Sequence, residues 1–272
     1  MSTAVLSAAT RHTTRDSLRQ TLALSKRSTW AILRQPALVF PSLVFPLFFA
    51  ALGASSFGRA VGKLDGLKDV SSFLEFSLAS TLAQGVLFGS TTGGTALATD
   101  IENGFMDRLL ASPSTRVGIL VGRLAGGSVF GALQSIFFIV ALYPFGVRIQ
   151  GGIIGALIMV LSGALIAMSI GGFMTAMALK TGSSEAVQGA FPLVFISLFF
   201  SSAFFPRESM TGAYKAIADY NPLSYLVEGL RVLTLQGLTS QAIAQVLMIP
   251  IAIGIGSIAL SLRQLSKRLA QQ

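Results

Sequence analysis

IQGGIIGALIMVLSGALIAMSIGGFMTAMAL, residues 149–179, runs for 31 residues without an Asp, Glu, Lys or Arg. A helix needs roughly 20 apolar residues to cross the hydrocarbon core of a bilayer, and this stretch exceeds that length. Five others are also free of charge: 35–58, 76–99, 124–147, 186–206 and 232–262. Hydrocarbon supplies no water to backbone polar groups, so each stretch must satisfy its own hydrogen bonds as a helix. The expectation is an all-α polytopic membrane protein with six transmembrane helices, at about 36–58, 76–99, 124–147, 152–179, 186–206 and 241–262.

Composition argues the same way. Charged residues make up 11% of the chain and hydrophobic ones 52%, where a soluble domain carries charge on about a quarter of its residues. The net charge of +9 would point to nucleic acid in a soluble protein, but its distribution explains it better. With the N-terminus inside, segments 1–34, 100–123, 180–185 and 263–272 hold 13 of the 20 Lys and Arg. The outer segments hold 7, nearly balanced by acids. The positive-inside rule therefore puts both termini in the cytoplasm. No cysteine is present, which removes disulfides and thiolate metal sites. The first 34 residues have no apolar core of the length a cleavable signal peptide requires.

Three domains are expected: a cytoplasmic tail and amphipathic interface helix over 1–35, a transmembrane domain over 36–262, and a basic cytoplasmic tail over 263–272. The N-terminal helix, Asp16 to Gln35, places Leu18, Leu22, Ile32 and Leu33 near one face and Arg19, Lys26, Arg27 and Arg34 mostly on another. Ser25 and Thr29 dilute its apolar face. Such a helix suits the inner membrane surface, or a solvated linker, before Pro36 turns the chain into the first span. Pro36, Pro41 and Pro46 predict a bent first span. Gly85, Gly89 and Gly93 form a small-xxx-small ridge on the second, which fits packing within one subunit and an interface between subunits equally.

The longest inner loop is DIENGFMDRLLASPSTRVGILVGR, Asp100 to Arg123. Phe105 with Leu109 and Met106 with Leu110 are i,i+4 pairs, whereas Glu102, Asp107 and Arg108 are polar. The pattern predicts a short amphipathic helix that Ser112–Pro113 ends. Its apolar face suits lipid or a protein groove, and periodicity does not choose between them. The outer connection 207–231 differs in kind. It holds Tyr214, Tyr220 and Tyr225, and Asn221–Pro222 is an N-cap followed by a first-turn proline, predicting a helix from Pro222 to about Leu235. Glu228 and Arg231 lie three apart on it, at pairing distance. A re-entrant or surface-lying helix pair between spans five and six is the expectation, because these segments are too polar and too short to cross.

Catalytic chemistry is scarce. The single histidine is His12, in the small, polar N-terminal stretch, so His- and Cys-based metal sites and most nucleophile–base pairs lack their parts. Short-spaced carboxylates are confined to Asp65/Asp69 and Asp100/Glu102, in contexts that read as solvated. GRAVGKL, Gly58 to Leu64, has one residue too few for a phosphate-binding loop and lacks its Ser or Thr. No ionisable residue interrupts the six apolar stretches, which removes the simplest route to proton coupling. The chain is expected to be no enzyme and to bind no metal or cofactor; energy must come from elsewhere.

Glu102 to Arg123 resembles the acid-x-Gly-x-x-acid-basic-Leu-Leu-x-(Ser/Thr)-Pro-x-x-Arg segment of type-2 ABC exporter membrane subunits, the daunorubicin-resistance-like permeases. FFPRESMTGAYKAIADYNPLSYLVEGLR, Phe204 to Arg231, is similar to the outer segment of that family. Asn103 and Phe105 depart from the commonest pattern. The resemblance implies a membrane-spanning exporter subunit in the plasma membrane, driven by Mg-ATP in a separate ABC ATPase and completed by a second membrane subunit, the same chain or a homologous one. It implies ATPase coupling through Glu102, Phe105, Asp107, Arg108, Leu109, Leu110, Pro113 and Arg116, and an outer gate at Phe204, Phe205, Pro206, Asn221 and Pro222. An amphiphilic drug, a lipid and a glycolipid all suit such a Phe-rich path. The alternatives are a stand-alone secondary carrier, although residues 36–147 and 153–262 show no clear repeat, or a membrane assembly factor.

Overall fold

Proline and glycine set the helix boundaries along this chain. The computed structural model describes residues 14–61, 70–110 and 116–270, and these hold helices and turns but no strand. Helix α1 covers Thr14–Leu33 and α2 covers Pro36–Phe57, with Pro36 at the start, where its missing N–H costs nothing. Helix α3, Phe73–Glu102, is capped by Ser72, whose hydroxyl accepts from Leu74 N and Glu75 N. Gly104, at φ +64°, then turns the chain into α4, Phe105–Leu110. Nothing crowds a would-be Cβ at Gly104, so the left-handed backbone alone calls for glycine there. Helices α5 (Arg116–Leu142) and α6 (Gly152–Thr181) follow, then α7 (Ser184–Gly189), α8 (Phe191–Phe199), α9 (Gly212–Tyr220), α10 (Pro222–Leu235) and α11 (Ser240–Leu269). Parts of the N-terminal tail with His12, the outer loop with Lys63, Asp65, Lys68 and Asp69, and Pro113 lie outside the described residues.

Helix α6 packs against α3, α5 and α11. Small residues let the backbones approach: a Cβ on Gly131 of α5 would lie 2.5 Å from Ala167 of α6, and one on Gly172 of α6 would lie 2.4 Å from Ser257 of α11. Serines then tie α6 to α11. Pro250 has no N–H for the carbonyl of Val246, four residues earlier, and Ser162 Oγ donates to that carbonyl at 2.9 Å. Ser169 Oγ donates to Pro250 O at 2.5 Å, and Ser261 Oγ to Gly172 O at 2.6 Å. Hydroxyl-to-carbonyl bonds of this kind relieve a proline break in a helix that water does not reach.

Among the described residues, four helices are long and apolar enough to cross a membrane: Pro36–Phe57, Gly118–Phe145, Gly152–Thr181 and Ser240–Leu269. The other two expected spans look different. The second lies within α3, which is 30 residues long but enriched in Ser, Thr and Gln and almost entirely buried through its middle. The fifth, expected as one helix over 186–206, is broken. Helices α7 and α8 meet at Ala190, and Pro192 lacks the N–H that would bond Gln188 O across the junction. Helix α8 then stops at Phe199, and residues 200–205 are turns.

The buried core has two principal halves. One joins Leu82, Val86, Phe138, Met159, Leu230 and Val246; the other joins Leu97, Met106, Leu120, Met174, Val187 and Leu265. Large apolar side chains of α2, α5, α6 and α11, including Phe40, Val140, Ile153 and Ile255, remain exposed, as lipid-facing surfaces are.

Helix α1 corrects the expected face. Leu22 is 68% exposed and Leu33 also points outward, while Ile32 is buried. The face against α5 is built instead from small polar residues, Thr29 of the diluted apolar pattern and its neighbour Ser28. Thr29 Oγ1 donates to Gly126 O at 3.3 Å, Ser28 Oγ donates to Arg123 O at 3.4 Å, and Gly126 leaves room for the Ser28 side chain.

Candidate functional site

Two polar assemblies stand at opposite ends of α3. At the Glu102 end, α1, α4 and the α6–α7 turn converge. The Glu102 carboxylate accepts from Ser184 N at 2.6 Å, and both its oxygens accept from Ser184 Oγ at 3.0 Å. The Arg27 guanidinium of α1 lies 4.4 Å from the centre of the Phe105 ring, and Arg108 lies 5.9 Å from the same ring. Asp100 and Arg123 form an ion pair between α3 and α5. Met106 is 1% exposed and inserts into the core beside Ile101 and Val187. Helix α4 is thus pinned by Met106, bracketed by Arg27 and linked to α7 by Glu102. For Asp107, Leu109, Leu110 and Arg116 only the helical backbone is described.

The ridge glycines divide. A Cβ on Gly85 would lie 2.1 Å from the Phe138 ring and one on Gly89 2.2 Å from Gln134 Oε1, both on α5. Gly93 has nothing within 4 Å. The close approach at Gly85 and Gly89 is therefore within one chain.

At the other end, the non-helical stretch after α8 would leave buried carbonyls without partners. Side chains of α9 and α10 supply them. Asn221 Nδ2 donates to Ser197 O at 2.6 Å and to Phe200 O at 2.8 Å, while Asn221 Oδ1 accepts from Leu223 N at 2.9 Å as the cap of α10. Tyr214 Oη donates to Phe199 O, and burial pushes that hydroxyl's pKa up. Arg231 is buried; it donates to Ser202 O at 2.8 Å and Ala203 O at 3.3 Å and lies 3.9 Å from the centre of the Phe76 ring. Ser202 donates two further bonds to Ser224, from its N–H to Ser224 Oγ and from its Oγ to Ser224 O. One guanidinium, one amide and one phenol thus replace the intrahelical donors that the broken span lacks.

The expected Glu228–Arg231 pair does not form. Glu228 pairs with Arg207, which also lies 3.5 Å from Asp219 and 4.4 Å from the centre of the Tyr225 ring. The reason is direction: Arg231 points into the core, toward the carbonyls of Ser202 and Ala203. Of the expected gate residues, Phe204 stacks on Phe199 at 4.5 Å and meets Phe49 of α2 at 6.0 Å, and Phe205 meets Phe57 edge-on at 6.0 Å. Pro206 precedes a short 3₁₀ turn, and Pro222 opens α10. Sequence reasoning passed over Ser184, Ser202 and Ser224, and read Met106 only as the i,i+4 partner of Leu110. Only their tertiary neighbours distinguish them from other small or apolar residues.

The ABC-2 type transporter family model matches residues 19–235. The chain is 28% identical over 232 residues to a daunorubicin resistance ABC transporter permease protein of Streptomyces coeruleorubidus, covering 84% of this chain and 80% of that one. It is 24% identical over 251 residues to a probable doxorubicin resistance ABC transporter permease protein of Mycobacterium tuberculosis, covering 86% and 87%. A putative transport permease of Porphyra purpurea is 27% identical over 216 residues, 77% of this chain and 72% of that one. The matched region takes in both polar assemblies, from the Arg27–Phe105 bracket to Arg231, and the chain belongs to the ABC-2 type transporter family as a multi-pass membrane permease.

Proposed function

We propose that this chain is the membrane-spanning subunit of an ATP-driven exporter, forming part of the path for an amphiphilic drug, lipid or glycolipid. Two of its relatives are named for daunorubicin or doxorubicin resistance, which favours a drug. In this reading the chain crosses the plasma membrane six times with both termini in the cytoplasm. Helix α3 is the second crossing, and α7, α8 and the turns to Pro206 form the fifth, while α9 and α10 re-enter or lie at the outer surface. Each crossing so drawn keeps the larger share of Lys and Arg inside.

The observation that carries the reading is the pinned helix α4. It stands at the end of the long buried α3, beside the α6–α7 turn, where a soluble partner would meet it. A separate ABC ATPase would dock there and bind the Mg-ATP; this chain would bind no cofactor of its own. Leu109 and Leu110 would enter the partner's groove, with Asp107, Arg108, Pro113 and Arg116 around them. Phe105 and Glu102 already have partners in Arg27 and Ser184, so they would pass the ATPase's motion to α1 and α7. A second membrane subunit would complete the path.

The test uses the tagged chain isolated from native membranes in mild detergent. Mg-ATP hydrolysis should accompany the complex and vanish from the chain once the ATPase is stripped away. Leu109→Ala and Leu110→Ala should each cost the complex ~2 kcal/mol, as buried interface anchors do. Glu102→Lys should abolish transport, and Lys63→Ala in the outer loop should leave the complex assembled. Full ATPase co-purification and transport in all three inner variants would make α4 a lipid-surface helix and remove the exporter reading's mechanistic basis.

A further inference from the structure

Helix α1 turns one side toward α5 and leaves the other uncovered, and the uncovered side mixes two chemistries. Leu22, Lys26, Trp30 and Leu33 follow one another at three- and four-residue spacing along it, all exposed, with exposed Arg27 and Arg34 on their flank. Lys26, Arg27, Trp30 and Arg34, with the small Ala23 and Ala31 among them, line an open groove of about 460 Å³. The groove thus carries three cations and, among the described residues, no carboxylate. Those cations are unspent: none of them forms an ion pair or a side-chain hydrogen bond with a described residue, whereas nearby Arg123 is paired with Asp100. Two residues separate the end of α1 at Leu33 from Pro36, the start of α2, whose Phe40 is exposed. The groove therefore stands where a lipid-facing span begins. Arg27 also reaches inward. Its guanidinium carbon lies 4.4 Å from the centre of the Phe105 ring of α4, a contact that consumes none of its N–H donors.

We propose that this groove binds the phosphate of an anionic phospholipid of the inner leaflet, and that Arg27 shares its guanidinium between that phosphate and Phe105, so that lipid occupancy steadies α4. Three unpaired cations attract a headgroup of net negative charge, each worth about fivefold in binding at an anionic surface. A zwitterionic headgroup carries its own cation and loses that advantage. The arrangement of the face favours lipid over an acidic protein: Leu22, Trp30 and Leu33 lie to one side of the cations, as a boundary with hydrocarbon below and phosphate above requires, and an indole is at home at that depth. A guanidinium holds a phosphate through two parallel N–H bonds, which fix its plane. Fixing the plane of Arg27 fixes the cation that covers Phe105, and with it the short helix that carries Phe105. The proposal rests on the exporter reading for placing α1 at the inner surface, but its lipid test requires neither ATP nor the ATPase.

Trp30 is the single tryptophan of the chain, so its emission reports on the groove alone. In phosphatidylcholine vesicles holding the full chain, phosphatidylglycerol brominated near the top of its acyl chains should half-quench Trp30 at a mole fraction about tenfold lower than phosphatidylcholine brominated in the same way. Lys26→Gln and Arg34→Gln should each raise that fraction about fivefold. Lys215→Gln, which removes an exposed cation from α9 instead, should leave it unchanged. Phosphatidylglycerol should also slow amide hydrogen exchange in Phe105–Leu110, and Arg27→Gln should abolish the slowing. Equal quenching by the two lipids would overturn the proposal, and so would an equal effect of Lys215→Gln, which would reduce the attraction to net charge. Displacement of phosphatidylglycerol by millimolar inorganic phosphate would overturn the lipid assignment in favour of a soluble anion. Loss of ATPase co-purification in Lys26→Gln and Arg34→Gln, with lipid selectivity intact, would give the face to the ATPase. Exchange in α4 that ignores phosphatidylglycerol would overturn the link through Arg27. A failure of the lipid measurements leaves the exporter reading, which stands on ATPase co-purification in the Leu109 and Leu110 variants, free to succeed or fail separately.

Discussion

Replacing Asn221 should destabilise the protein more than a helix cap alone explains, and the choice of substitute separates the two causes. As the cap of α10, Asn221 Oδ1 accepts from Leu223 N, an interaction whose loss costs about 1 kcal/mol. Its Nδ2 also closes Ser197 O and Phe200 O at the end of α8, and each such bond contributes about 1 kcal/mol net. Asn221→Ala should therefore cost about 3 kcal/mol, which for a chain of this size lowers the melting temperature by roughly 6–12 °C. Asn221→Asp is the decisive variant. Aspartate caps a helix as well as asparagine does, but it has no amide donor and would face the two α8 carbonyls with a carboxylate. It should fall at least as far as Asn221→Ala. The assay is thermal unfolding of the detergent-purified protein, followed by loss of the monodisperse fraction and, separately, by tryptophan emission from Trp30. Wild-type stability in Asn221→Asp would refute the claim that α10 holds the broken end of α8 and would reduce Asn221 to a cap.

Gly85→Val should destabilise by about 1–3 kcal/mol through collision with Phe138, whereas Gly93→Ala, with open space around it, should be neutral or gain up to about 1 kcal/mol in helix propensity; the same thermal assay checks both. A double-mutant cycle on Arg207 and Glu228 should return a coupling of about 1 kcal/mol. The same cycle on Glu228 and Arg231 should return a smaller coupling, because the two share no hydrogen bond and only longer-range attraction between opposite charges links them, while Arg231 spends its donors on Ser202 and Ala203 carbonyls.

Several features were legible before any coordinates. Charge-free stretches long enough to cross a bilayer announced a helical membrane protein, because hydrocarbon leaves a backbone no alternative. Local chemistry was equally direct: Asn221–Pro222 marks the start of α10 and Pro36 the start of α2, since caps and first-turn prolines act within a single turn. The short helix Phe105–Leu110 followed from its i,i+4 pairs. What the sequence could not convey was direction and partnership. Periodicity placed Glu228 and Arg231 on neighbouring turns but not the core into which Arg231 points. Hydropathy marked 186–206 as one apolar run and was blind to its break after Gly189 and its end at Phe199, because apolarity measures transfer from water and not backbone continuity. Whether Ser25, Ser28 and Thr29 weaken a lipid-facing helix or build a protein-facing one depended on the close approach of Gly126, almost a hundred residues away. Gln84 makes the point most sharply. In the sequence it is one polar residue in an apolar run, and only the packing of α2 and the Phe204–Phe205 turn against α3 buries its amide, whose Nε2 has no partner among the described residues.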